Sequence, residues 1–467
     1  MTKLPLISVK RYVNELDISI ILGFEAFDEE SQRKLLRYVM NATDPAYFTD
    51  AVYNRDYLIF KIERFAIDFN NDEVAFILKP ATVYLELSDE VIKALKTTKD
   101  ANVYVKARIF GVYKPKRGKA KIYISDVKFI VADLNEDKAK ELLNEYDPLT
   151  LLTYALGYEP HPDVYGLILP RLLPIFKPFG LGVHVIQFTP PATGKTHTAL
   201  TITQLENAYH SLSFPSRAKL IGDARRNSYG LCYKYNVLYI EEFDKISGVR
   251  ADEFKEDYET LLTGLEQGVW QREKSSKADI SYTNPVSFCV FGNVRDKELT
   301  EHTVESHAET DREKIITLIE ALTRINAKPF VQRFCYVEYI TDEVNIMAYI
   351  KRNENNEPLF LHPAVSRGVI KILKDEVVKN AVKPKAENSR FDHHFNTLRS
   401  ILKTLKIELD DNTIERLVYG KTTFLDVFKT EKQNVNTTTE VKAEKTAESK
   451  TDDVTTEEWD MTQFLKR

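Results

Sequence analysis

The chain has 467 residues, enough for about three domains. Its 65 basic and 70 acidic side chains give a formal charge of -5, which excludes a uniformly basic nucleic-acid coat and leaves nucleic-acid contact to local patches. A hydrophobic fraction of 43 % excludes wholesale disorder, and three widely spaced cysteines (Cys232, Cys289, Cys335) exclude a disulfide framework and a cysteine-ligated zinc ribbon.

No apolar run approaches the roughly 18 residues of a membrane span, and the N-terminus lacks a signal-peptide core. The expectation is an intracellular, cytoplasmic protein without membrane contact, in the host cytoplasm if it is viral.

Residues 1–145 read as a mainly β domain. Tyr57–Phe69, Val74–Leu87, Val103–Tyr113 and Lys121–Val131 alternate apolar and polar positions and are rich in β-branched and aromatic residues. A helix at Ser88–Lys99 interrupts them, and the last two strands flank a basic turn, so a small barrel of the OB type is expected, with a β-sandwich as the alternative. A charged helical stretch, Leu134–Leu143, leads to a linker at Asp147-Pro148.

Over 146–345 the pattern changes to strands alternating with helices, the signature of a parallel α/β sheet, with strands expected at Val183–Phe188, Lys219–Ile221, Val237–Ile240, Ser287–Phe291 and Phe334–Ile340. Residues 346–428 read as a helical lid. The tail, 429–467, is Thr, Glu, Lys and Ser until its tip and cannot bury a core.

The strand Val183–Phe188 runs into Thr189-Pro190-Pro191-Ala192-Thr193-Gly194-Lys195-Thr196 and then a helical run through Tyr209. That is the order a P-loop needs, although Thr189 replaces the first glycine of the pattern. Backbone N–H groups and the helix N-terminus hold phosphates, Lys195 reaches the β/γ-phosphates of ATP, and the Thr196 hydroxyl ligates Mg²⁺. A second apolar strand ends in Glu241-Glu242, a Walker B arrangement in which Glu241 holds Mg²⁺ through water and Glu242 acts as general base. Asn293 ends the next strand, where an amide can orient the lytic water. Arg333 stands before the last strand, where an arginine can reach a neighbour's γ-phosphate.

Several segments resemble minichromosome maintenance (MCM) helicases: Glu241–Ile246 (EEFDKI), Leu262–Lys277 (LTGLEQGVWQREKSSK), Gln332–Glu343 (QRFCYVEYITDE) and the entry helix in Tyr158–Phe179. The Walker A segment TPPATGKT is closer to superfamily 3 viral helicases. The resemblance implies a ring-shaped AAA+ ATPase, most simply a hexamer, that moves along or unwinds single-stranded or forked DNA. It implies a DNA-gripping hairpin with Arg272, Lys274 and Lys277 around its tip, and a lid arginine on the nucleotide, Arg390 or Arg399. The segment Asp223–Tyr235 is too short for the helix-2 insertion of MCM proteins.

The N-terminal turn with Lys114, Lys116, Arg117 and Lys119 is a second candidate for phosphate contact. At the tail's end Met461, Phe464 and Leu465 fall at i, i+3 and i+4, a spacing that one helical turn presents on one face to a partner. It is similar to a sliding-clamp-binding peptide, with Glu458 at the glutamine position. The rival functions are an ATP-gated initiator or loader with little unwinding activity and a protein-remodelling machine.

Overall fold

A computed structural model describes residues 3–8, 45–55, 57–62, 65–68, 71–78, 81–98, 103–113, 121–131, 134–223, 228–246, 249–272, 280–294, 308–381 and 389–430. The protein is α/β, with a six-stranded mixed sheet followed by a five-stranded parallel one. After β1 (Leu6–Ser8) and α1 (Pro45–Asn54), the mixed sheet comprises β2 (Tyr57–Lys61), β3 (Phe65–Asp68), β4 (Glu73–Ile77), β5 (Thr82–Glu86), β6 (Val103–Tyr113) and β7 (Lys121–Val131), in the order β2-β6-β7-β5-β4-β3.

Neighbours are antiparallel except the parallel pair β5–β7. The outermost members, β2 and β3, are separated only by residues 62–64, so one bent stretch of chain supplies both ends of the sheet. Val74, Phe76, Val83, Val105 and Ala107 fill its core. The helix α2 (Asp89–Thr97) joins β5 to β6; the Ser88 hydroxyl caps it, and Asp89 and Glu90 complement its N-terminal dipole. Two expected long strands, Tyr57–Phe69 and Val74–Leu87, are each two strands; in the second, Pro80 cannot donate to a ladder.

Three helices, α3 (Glu136–Glu145), α4 (Pro148–Ala155) and α5 (Pro162–Leu172), lead to β8 (Val185–Thr189), α6 (Lys195–Leu205) and β9 (Ala208–Ser211). Next come α7 (Arg217–Leu220), the two-residue pair β10 (Gly222–Asp223) and β11 (Ser228–Tyr229), α8 (Leu231–Lys234) and β12 (Val237–Ile240). α9 (Val249–Glu256) and α10 (Tyr258–Gln267) precede the hairpin β13 (Val269–Arg272) and β14 (Ile280–Thr283). β15 (Ser287–Asn293), α11 (Asp311–Thr323), α12 (Lys328–Val331) and β16 (Tyr336–Tyr339) follow. The described chain closes with β17 (Leu359–Leu361), α13 (Pro363–Asn380), α14 (Arg390–Thr404), α15 (Asp411–Tyr419) and a last helical segment at 424–430.

The parallel sheet has the order β16-β8-β15-β12-β9. The inner strands β8, β15 and β12 and the edge strand β16 are buried almost throughout, which is why they read as apolar runs. Successive side chains divide between two cores: Val185, Tyr239 and Phe291 pack with α4–α6 and α13–α15, whereas Ile186, Phe188 and Val290 pack with α9–α12. β1 pairs with β17, Leu6 opposite Leu361, and α3 is tied to α13 by the Asn135 N–H donating to the Ala364 carbonyl at 2.9 Å. No described helix is long and apolar enough to cross a membrane.

The expected strand at Lys219–Ile221 is instead the end of α7, and the edge position belongs to β9. Leu220 and Ile221 are buried as anchors of a turn, their amides bonded to the Ser216 and Arg217 carbonyls. The helix after Lys195 correspondingly stops at Leu205 rather than running through Tyr209.

Candidate functional site

β8, β15 and β12 are neighbours in the sheet and parallel, so their C-terminal ends open on one edge, the usual ligand edge of such sheets. Asn293 pairs in register with Thr189, and Glu241 follows β12 directly. Three segments more than 40 residues apart thus deliver Lys195, Thr196, Glu241 and Asn293 to one place.

The loop turns through left-handed residues at Ala192 and Gly194, with φ of 65° and 71°. A Cβ on Gly194 would lie 2.4 Å from the Tyr158 hydroxyl, so only glycine fits there. Thr189 explains the missing first glycine: its buried hydroxyl is 2.8 Å from that of Thr193 and closes the loop across its base. The Lys195 ammonium donates to the Thr189 carbonyl and hydroxyl and to the Pro190 carbonyl, at 3.0 to 3.1 Å. Burial, reinforced by the nearby Arg171, pushes its pKa down to about 7. Below it the fully buried Arg171 guanidinium donates to the Thr193 carbonyl at 2.7 Å, and its Nη2 meets no acceptor among the described residues. Two cations and the N-terminus of an 11-residue helix make a cradle suited to a polyphosphate.

The Thr196 hydroxyl donates to Glu241 Oε2 at 2.8 Å, and His210 Nε2 on β9 lies 3.0 Å from Glu241 Oε1. Burial raises the Glu241 pKa, but the bonds from His210 and Thr196 outweigh it and hold the carboxyl below its usual range. A hydroxyl beside an ionised carboxylate is an oxygen donor set that fits Mg²⁺ with water completing the shell. Among the described residues no cluster of three or more His, Cys, Asp or Glu forms a separate metal cage.

Glu242 leaves the strand with φ 53° and pairs with Lys245. The structure does not join it to Asn293, which is held by Asp244 through its backbone N–H at 2.9 Å and its amide at 3.5 Å. Sequence reasoning missed Asp244, the third acid of EEFD, together with His210 and Arg171.

Arg333 and Arg390 lie at the other end of the sheet. Arg333 donates from Nε to the Leu262 carbonyl at 2.8 Å, from Nη1 to the Pro329 carbonyl at 2.6 Å and from Nη2 to Glu266 Oε2 at 2.7 Å. Arg390, the first residue of α14, takes the second Glu266 oxygen. The Glu266 carboxyl is raised by burial, yet Arg390 and Arg333 together bring it below its ordinary range. The arginine pair borders a cavity of about 390 Å³ that also touches Gly182, His184 and His394. Five residues of β8, about 16 Å of strand, separate this end from the loop. Within one chain neither arginine is therefore gathered with Lys195. Arg399 pairs with Asp411 on the surface at 3.6 Å. His394 is buried against the Gln332 carbonyl, 6.2 Å from the His393 ring, and burial takes its pKa down to about 3.

The hairpin β13–β14 is antiparallel, with Arg272 opposite Ile280. Its base is fixed by the buried Trp270, whose Nε1 donates to the Asn284 carbonyl at 2.9 Å. Lys274 and Lys277 at the tip lie outside the described residues, as do Lys114, Lys116, Arg117 and Lys119 beyond β6 and Met461, Phe464 and Leu465 in the tail.

No protein-family model matches the chain. It is similar to Uncharacterized protein 440 of Sulfolobus islandicus rod-shaped virus 1, 27% identical over 378 residues, 71% of this chain and 81% of that protein. It is also similar to Uncharacterized protein ORF426 of Acidianus filamentous virus 1, 24% identical over 436 residues, 88% of this chain and 95% of that protein. Uncharacterized protein ORF425 of Acidianus filamentous virus 2 is 32% identical over 127 residues, covering 27% and 29% of the two chains.

Proposed function

We propose that the chain is an ATP-hydrolysing DNA motor of the AAA+ type, working as a ring, most simply a hexamer, in the handling of a viral genome. The convergence of Lys195, Thr196 and Glu241 at the ends of parallel strands carries the reading. The strand order supports it too, because β15 lies between the loop strand and the acid strand and brings Asn293 between them. The mixed sheet, whose two ends are one bent stretch and whose helix lies between β5 and β6, supports an OB-like domain in front of the motor. The three viral relatives support the viral setting.

In this reading Lys195 and the loop bind and orient the triphosphate, and Glu242 accepts the proton of the attacking water held by Asn293. Thr196 and Glu241 would hold Mg²⁺, which supplies charge neutralisation on the phosphates. Arg333 and Arg390, remote from their own loop, suit a neighbour's nucleotide. The basic hairpin after Trp270 would grip DNA phosphates.

One observation favours a second reading, an ATP-gated loader with little unwinding: Glu242 is engaged by Lys245 rather than by Asn293, as suits a slow hydrolase. ATPase rates with and without single-stranded DNA, for wild type and Lys195→Ala, test the site. An unaltered rate in the variant refutes it. Displacement of a strand from a forked duplex separates motor from loader.

A further inference from the structure

Two polar residues stand at inward positions in the middle of two buried strands. Gln187 on β8 and Glu338 on β16 face each other in register, and both are fully buried. Such groups are costly in a core unless every atom is satisfied. Gln187 Nε2 donates to Glu338 Oε1 and to the Leu167 carbonyl, while Gln187 Oε1 accepts from Arg171 Nε at 2.7 Å. A cation on one side and a carboxylate on the other fix which way the amide points.

On the far side, the Tyr336 hydroxyl donates to Glu338 Oε2 at 2.6 Å and accepts the Phe424 N–H at 3.0 Å. Phe424 lies in the first turn of the last helical segment, where a helix has N–H groups to spare. Arg171 meanwhile holds the Thr193 carbonyl inside the phosphate loop. A buried guanidinium whose direct partners are all neutral is expensive, by several kcal/mol, and a plain structural bond would not require it.

We propose that Arg171 is the positioning residue of the phosphate loop, and that Gln187, Glu338 and Tyr336 join the loop's loaded or empty state to the start of the helical segment at Phe424. The inference rests on the reading of the loop as a phosphate site. An anion beside Lys195 acts on the Arg171 guanidinium at short range, in an interior where screening by solvent is weak. Arg171 in turn shares Gln187 with Glu338, so a change in its hold on Gln187 reaches the carboxylate and the Tyr336 hydroxyl. The Glu338 carboxyl responds readily: burial raises its pKa to about 7 despite the donors Tyr336 and Gln187 and the charge of Arg171. Coupling of this kind is reciprocal, so loading the loop tightens the Phe424 N–H, and loosening the far end weakens nucleotide binding.

Hydrogen–deuterium exchange of the full chain, with and without a slowly hydrolysed ATP analogue and Mg²⁺, reads both ends at once. The analogue should slow exchange over 190–196 and also at Phe424. Tyr336→Phe, which keeps the ring and removes the hydroxyl, should abolish the response at Phe424, keep that of the loop, and weaken analogue binding by about fivefold or more. Glu338→Gln, with one acceptor fewer, should give a reduced response, and thermal melting certifies that each variant is folded. Analogue binding with no change at Phe424 in the wild type, or a full response in Tyr336→Phe, overturns the linkage alone. A wild type that binds no analogue, or a Lys195→Ala protein that binds it equally well, overturns the phosphate site and the linkage together.

Discussion

Gly194→Ala isolates the shape of the proposed phosphate loop from its charges. The added Cβ would sit 2.4 Å from the Tyr158 hydroxyl and 3.1 Å from Ile346 Cδ1, and Gly194 has φ +71°. An L-residue in that backbone region costs about 1–2 kcal/mol. Tyr158 is fully buried and cannot step aside freely, so the overlap adds about 1–3 kcal/mol. The sum, about 2–5 kcal/mol, appears as lost stability, as a displaced loop, or as both. If the loop yields, affinity for a fluorescent ATP analogue falls by a factor of about 30 to several thousand. If the fold bears it, the melting temperature falls by about 2–4 °C for each kcal/mol. Titration and thermal melting on the same sample apportion the loss. Tyr158→Phe alone removes a hydroxyl whose contacts are Thr198 and the Met347 sulfur, at a cost of about 1 kcal/mol. Combined with Gly194→Ala it removes the colliding oxygen and should restore binding about tenfold. Wild-type binding and melting in the single variant, or no recovery in the double, would refute this geometry.

Glu242→Gln should bind nucleotide and turn it over at least about a hundredfold more slowly, measured in a single turnover. Loss of binding with an intact fold would exchange the roles of Glu241 and Glu242. Arg333→Ala removes three hydrogen bonds made within its own chain and should destabilise the subunit by about 2–4 kcal/mol, whereas Arg390→Ala should spare melting and lower turnover. Mixing either variant with Lys195→Ala subunits should restore some activity; mixed rings without recovery would count against action on a neighbour. Replacing both Lys274 and Lys277 by Ala should lower the salt slope of single-stranded DNA binding by about 0.7 per lost contact, and an unchanged slope would move the DNA elsewhere.

The segments that meet at the candidate site were legible because their signals are local. An apolar strand, a loop ending in Gly194-Lys195-Thr196 and a second strand ending in two acids can each be read within about ten residues. β9 was not legible, because Ala208–Ser211 is a half-buried edge strand that continues the composition of the helix before it. The joined ends of the mixed sheet depend on β2 and β3 pairing with different partners, which no local pattern encodes. Arg171 hides in the apolar helix PDVYGLILPRL, where a lone arginine reads as one that reaches solvent. The signal that could have found it lay elsewhere, in the polar residues inside VIQFT and YVEY. Arg333 was placed correctly before its strand, but its bonds to Leu262 and Glu266 come from tertiary packing with α10 and could not be read from sequence; only the third, to the Pro329 carbonyl four residues back, is local.

The pairing of β1 with β17 changes how this chain can be dissected. Leu6–Ser8 precede the mixed sheet in sequence yet zip onto Leu359–Leu361, beyond the last strand of the parallel sheet, and Ile7 is buried there. The mixed sheet is therefore a cassette spliced between two stretches that belong to the other half of the molecule. A fragment begun just before α3 would lack β1, leaving the Leu359–Leu361 backbone as a raw, self-adhesive border. Internal excision, with residues 3–8 kept and bridged to α3 by a flexible spacer, respects the wiring. A clone made by simple truncation should clump where the spliced one stays dispersed.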